Sequence, residues 1–243
     1  MALREEYEKI GNWLFRWRSY LPLLVLGLAF IAMRDFTYPG NNHNWDLAWE
    51  AFCLTVSFLG LGIRAAVVGY VPEGTSGRNT RAQKAKSLNV KGLYSIVRHP
   101  LYLGNFFIWL GISLFVRNWM ISLICVLVFW VYYERIMFAE EEFLRKEFGA
   151  EYENWANDTP CFVPRLRQWK PPAMPFSWKK VLKDEYSGFF AIIVTFACLE
   201  VFGDLIAQRR LELDWEWGIL LFVGLSTYLT LFTMKKRRML ESK

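Results

Sequence analysis

The sequence predicts an all-α, polytopic integral membrane protein with about six transmembrane helices, a cytoplasm-facing amphipathic helix and an adjoining loop region. Three observations predict it. Hydrophobic residues make up 54% and aromatics 18% of the 243 residues, above the usual globular share. The apolar residues gather into uncharged runs at 19–33, 51–63 continuing through 65–71, 101–116, 118–133, 187–199 and 217–234. The cations are also lopsided. With the N-terminus inside, segments 1–18, 72–100, 134–185 and 235–243 face the cytoplasm and carry 24 of the 29 Lys and Arg, as the positive-inside tendency requires. The net charge of +6 is therefore topology and calls for no nucleic-acid partner.

Several runs fall short of the roughly 18–20 residues that cross a bilayer, but Trp and Tyr on their flanks extend them into the interface. The first run imitates a signal-peptide core. Its prefix, "MALREEYEKIGNWLFRWRSY", is acidic as well as basic and aromatic, and no small-residue cleavage site follows, so the run is expected to be a true span. The polar turn "RDFTYPGNNHNWD" then leads to the second span and leaves His43 in water. Within that span "GLGIRA", 60–65, fits a loose dinucleotide pattern, but no strand precedes it, so close helix packing is the expectation. Arg64 and Glu200 are charges inside apolar runs, which is costly. They are expected either to pair with each other or to meet a lipid headgroup.

A basic connector occupies 72–97. Spans three and four form a hairpin about "RNW", 117–119, and 134–156 continue as a charged amphipathic helix. The stretch "NDTPCFVPRLRQWKPPAMP" is irregular because its prolines cannot continue a helix. Two more spans follow, ending in the stop-transfer run "KKRR". The organisation is thus 1–88, two spans and connector; 89–170, a core with the densest polar chemistry; and 171–243, two further spans. The four cysteines show neither metal spacing nor a disulfide framework, so no metal is expected.

Pro100 suits the first turn of a helix, where its missing N–H costs nothing. Arg98 and His99 stand beside the free N–H groups of that turn, which makes an anion site, or else simply an interfacial belt with Tyr102. Gly104 permits close backbone approach. Downstream, Met137, Glu141, Leu144, Phe148, Tyr152 and Trp155 fall on one helical face, with Glu140 and Glu142 about 100° to either side of Glu141. A carboxylate on a packing face needs a partner, either an arginine or a cationic ligand.

"RHPLYLGN", then "EEEFLRKEFGAEYENW" some forty residues on and "TPCFVP" after it, resembles the isoprenylcysteine carboxyl methyltransferases and their phospholipid N-methyltransferase relatives over roughly 89–165. The resemblance implies an S-adenosyl-L-methionine-dependent enzyme without a Rossmann domain. It implies cofactor contacts from His99, Tyr102, Gly104, Glu140, Glu141 and Tyr152, with the "CFVP" loop closing over the adenosine. Arg98 and Glu141 would be the catalytic pair, and Arg64 and Arg98 would meet the substrate. A carboxylate or phosphate acceptor arrives deprotonated, and Arg98 would orient it; an ammonium acceptor would need Glu141 as base. The partners implied are a membrane lipid or prenyl-lipid substrate and the bilayer, with both termini and the active site cytoplasmic. The last two spans either widen a lipid cleft or form a homodimer face. The rival classes are an NADPH-dependent sterol-type reductase, which resembles the same hairpin, and a non-catalytic scaffold.

Overall fold

A computed structural model describes residues 2–18, 20–36, 43–72, 85–211 and 213–241. Residues 73–84 of the basic connector, and the side chain of His43, lie outside the described residues. The helices are α1 (Leu3–Trp17), α2 (Leu21–Ala32), α3 (His43–Tyr70), α4 (Pro100–Phe115), α5 (Trp119–Phe148), α6 (Ala150–Asp158), α7 (Trp178–Gln208) and α8 (Trp215–Lys236). No β-strand occurs among the described residues; Gly92 and Lys170 form an isolated bridge.

The six apolar runs all become helices. Four of these helices, α3, α5, α7 and α8, are long and apolar enough to cross a membrane. α4 has 16 residues and α2 has 12, about 24 and 18 Å at 1.5 Å per residue, so each is shorter than a hydrocarbon core of about 30 Å.

Local chemistry sets the helix ends. The Asn118 side chain accepts from the N–H groups of Met120 and Ile121 and starts α5 after the turn. Ser177 caps α7 in the same way, and Pro100 opens α4. The expected amphipathic continuation beyond 133 is mostly the second half of α5 itself. It stops at Gly149, whose φ of 52° suits glycine, and the chain restarts as α6. Lys180, buried on α7, donates to the carbonyls of Val71 and Pro72 just past the end of α3.

Helix pairs approach closely where side chains are smallest. A Cβ on Gly60 would lie 2.4 Å from the Gly104 carbonyl oxygen, and one on Gly111 2.4 Å from that of Cys53, so α3 and α4 touch backbone to backbone. This is the packing role expected for "GLGIRA", carried by Gly60; Gly62 faces open space. One apolar core joins α2, α3, α4, α7 and α8 through Ala29, Cys53, Phe115, Phe196 and Trp217. A second, of Phe15, Tyr102, Phe129, Tyr133, Ile136 and Met137, joins α1, α4 and α5. The outer faces carry exposed Leu127, Trp130 and Val131 on α5 and Phe222 on α8, which suit lipid rather than water.

α1 lies along the second half of α5. Gly11 admits the Arg135 carbonyl, the Arg135 guanidinium sits 3.4 Å over the Tyr7 ring, and Arg4 pairs with Glu142. Glu142 is the acid of the 140–142 triplet that is fully buried. The single-face pattern marked Glu141 as the packing acid, because the partner of Glu142 comes from the far N-terminus.

Candidate active site

The start of α4 and the second half of α5 lie side by side, and their polar residues meet. His99 Nε2 is 2.9 Å from Glu141 Oε1, and Arg98 Nε is 3.3 Å from the same oxygen. The Tyr102 hydroxyl donates to Glu140 Oε2 at 2.8 Å, with His99 Nδ1 3.8 Å from that oxygen. The His99 and Tyr102 rings stack at 5.6 Å. His99 and Tyr102 are buried, while Arg98, Glu140 and Glu141 are half-buried, so two acids and two bases share a partly dry cluster between α4 and α5, the cleft between the two helices.

The irregular segment after α6 closes one side. The Arg98 N–H donates to Pro160 O, and the Arg165 N–H donates to Ile96 O. These bonds hold the loop against the turn that leads into α4 and deliver Cys161, whose Sγ lies 3.7 Å from Glu141 Oε1. Sequence reasoning gave the "CFVP" loop a part in closing over the adenosine but assigned the Cys161 thiol itself no contact. The signal available was its place between two prolines in "TPCFVP". Ligand atoms of His99, Glu141 and Cys161 fall within 4.8 Å of one another.

Tyr152 of α6 is wholly buried beside this cluster. Its hydroxyl faces Glu141 without a well-formed hydrogen bond, and Arg98 Nε is likewise buried with no aligned partner. Burial, then the nearby Glu141 charge, pushes the Tyr152 hydroxyl well above its ordinary range, so it stays a donor. For His99, burial alone favours the neutral ring. The contact with Cys161, the hydrogen bond to Glu141 and the charges of Glu140 and Glu141 outweigh it and raise the pKa to about 9.

Arg64 does not meet Glu200. Its guanidinium forks onto Glu185 of α7 (Nε to Oε2 and Nη2 to Oε1, both 2.9 Å) and donates from Nη1 to Asn105 Oδ1 at 2.7 Å. Position along the helices decides this, because Glu185, near the start of α7, lies level with Arg64 near the end of α3, whereas Glu200 sits near the other end of α7 beside Glu50. Gly104 faces α3: a Cβ there would lie 2.6 Å from Arg64 Cγ and 2.8 Å from Gly60 O. Its missing side chain is used by Arg64.

A family profile described as phospholipid methyltransferase matches residues 51–151. A nickel-cobalt-cadmium resistance protein, NccN, of Alcaligenes xylosoxydans is 31% identical over 65% of this chain and 69% of its own length. A cobalt-zinc-cadmium resistance protein, CzcN, of Cupriavidus metallidurans is 27% identical over 63% of this chain and 64% of its own. Protein-S-isoprenylcysteine O-methyltransferase B of Arabidopsis thaliana is 32% identical over 59% of this chain and 72% of its own. The chain thus spans about two-thirds of the length of these relatives. No solved structure matches it significantly. With its helical membrane architecture and these relatives, the chain belongs to the superfamily of integral membrane methyltransferases that includes the isoprenylcysteine carboxyl and phospholipid methyltransferases.

Proposed function

We propose that the protein transfers the methyl group of S-adenosyl-L-methionine to an anionic oxygen of a membrane lipid or prenyl-lipid acceptor, at the cytoplasmic edge of the bilayer. The observation that carries this is the meeting of Arg98 and His99 with Glu140 and Glu141, bordered by two donors without aligned partners, Arg98 Nε and the Tyr152 hydroxyl. The cofactor has a carboxylate, an ammonium and a sulfonium, and a pocket with both signs of charge and spare buried donors fits it. The cytoplasmic assignment of the site and termini rests on the Lys and Arg asymmetry.

When bound, the cofactor would supply an electrophilic methyl on positively charged sulfur, which an anionic acceptor oxygen would take as the S–CH3 bond breaks, giving a thioether and a methyl ester with one negative charge fewer than the acceptor. The residues of the chain supply alignment and dryness. Tyr102 and His99 both address Glu140 Oε2, which leaves Oε1 for a ligand cation. His99 holds Glu141 in place from the other side. Tyr152 and the segment bearing Cys161 exclude water. Arg98 turns from Glu141 toward the acceptor anion, neutralises it until attack and holds it in line. No proton has to move for this acceptor.

The match to the phospholipid methyltransferase profile favours one second reading, a headgroup amine as acceptor. That acceptor must first lose a proton, and Glu141 is the base within reach. Purified protein in detergent, titrated with S-adenosyl-L-methionine and with NADPH and then given total membrane lipids, tests the proposal. Binding of the first and a lipid product heavier by one CH2 group support it. Methanol released by mild alkali marks a carboxylate ester, and fragmentation of an alkali-stable product tells a methyl phosphate from a methylated amine. Binding of NADPH alone, or of neither, overturns it.

A further inference from the structure

Glu185 lies on α7, beyond the segment that resembles the methyltransferases, yet a hydrogen-bonded path leads from it toward the cleft. The bidentate fork with Arg64 uses Nε and Nη2, and Nη1 then donates to Asn105 Oδ1. Arginine has no acceptor atom, so this bond fixes which end of the Asn105 amide faces it. Nδ2 must therefore point the other way, and it donates to the Tyr133 hydroxyl at 3.0 Å. With a lone pair of that oxygen taken by a donor, the hydroxyl hydrogen must be directed elsewhere. Among the described residues, no acceptor for it is in place. The Tyr133 ring is buried and lies 5.0 Å from that of Tyr102, which reaches Glu140.

We propose that Glu185 is a positioning residue whose ion pair with Arg64 sets the Asn105 amide, and that the amide commits the Tyr133 hydroxyl to donate to an oxygen of the methyl acceptor's headgroup. This rests on the methyltransferase reading above. It assigns α7 a part in recognising an oxygen-rich acceptor. Tyr133 is the contact, and Glu185, Arg64 and Asn105 act through it. A neutral glutamine at 185 keeps the shape but not the charge that holds the fork, so Arg64 is released and the amide loses its fixed sense. Breaking the path at either end should then remove the same bond.

Glu185→Gln, Tyr133→Phe and the double variant, each purified in detergent, are compared with the parent protein in methyl transfer to its lipid acceptor. The expected result is a rise of about tenfold in acceptor KM for each single variant, the worth of one buried hydrogen bond. Affinity for S-adenosyl-L-methionine should stay within about twofold, and the double variant should be no worse than the poorer single one. Additive losses, or a lowered melting temperature with acceptor KM unchanged, overturn the proposal and leave Glu185 as a structural tie alone. A second readout needs no turnover. In protein carrying 13C-labelled tyrosine, the signal lost in Tyr133→Phe identifies the Tyr133 ring carbon that bears oxygen, and Glu185→Gln should shift it. An unmoved signal also overturns the relay. If the parent protein transfers no methyl group at all, the methyltransferase reading fails, and the tyrosine signal still decides whether the relay exists.

Discussion

The two ends of the helix bundle both bury charge, but they balance it differently. At the cleft end, cations and anions are matched: Arg98 and His99 face Glu140 and Glu141, and Arg64 forks onto Glu185. At the opposite end, Asp46, Glu50, Glu200, Asp204 and Asp214 gather, with oxygens of Asp46, Glu50 and Glu200 within 4.8 Å of one another. There Arg117 pairs with Asp46 and lies 3.9 Å from Glu50 Oε1, and Trp217 Nε1 donates to Glu50 Oε2 at 3.1 Å. The difference teaches what each end tolerates. Matched pairs in a low-dielectric setting lose heavily when one partner is removed, because the other is left buried and charged. A cluster of like charges loses little, or gains, when one of them is neutralised.

Arg64→Ala should show the largest effect. It removes the bidentate fork from Glu185, which is only 4% exposed, and should cost about 3 kcal/mol, read as a drop in melting temperature in detergent. A melting temperature equal to that of the parent would break the comparison. Glu141→Gln keeps shape but removes the charge shared by His99 and Arg98, and about a 100-fold loss in kcat/KM is expected, the upper worth of a charge-assisted bond. Activity within about threefold of the parent would remove Glu141 from the site.

The third test uses pH. The folded pKa of His99, about 9, exceeds the ordinary value of 6.5. The charged ring therefore contributes its full stabilisation below about pH 6.5 and loses it as pH rises through about 9, with a slope of at most about 1.4 kcal/mol per pH unit. Thermal stability measured from pH 6 to 10 should fall in that window in the parent and fall less in His99→Gln. The smallest effect belongs to the opposite end. Glu200→Gln should change stability by no more than about 1 kcal/mol, in the stabilising direction, and leave methyl transfer as in the parent. A loss comparable to that of Arg64→Ala would mean that both ends are balanced alike.

Much of the cleft could be read from the chain alone. Arg98, His99, Pro100 and Tyr102 announce themselves as a polar cluster welded to an apolar helix start. Glu140 and Glu141 stand out as acids on a helix that continues from a span. The Arg64 partner could not be read, because Glu185 is 121 positions away and hydropathy gives no sign of which acid on α7 rotates inward. Tyr152 could be read as well, from its helical spacing to Glu141 and from the motif, although the helix breaks between them at Gly149. The contact of Cys161 with Glu141 could not, because it depends on a loop held by the carbonyl of Pro160.

By itself the sequence determined the helical membrane class, the placement of the apolar runs and the family of its central motif. Each of these follows from local quantities, hydropathy over a window or residue types at fixed spacing. Only the tertiary structure decided who faces whom: Arg64 with Glu185, Arg4 with Glu142, Glu50 beside Glu200, and Asn105 aimed at Tyr133. Such pairings depend on how each helix is rotated and shifted against its neighbour. That is set by contacts such as Gly60 on Gly104 and Gly11 on Arg135, distributed over the whole bundle.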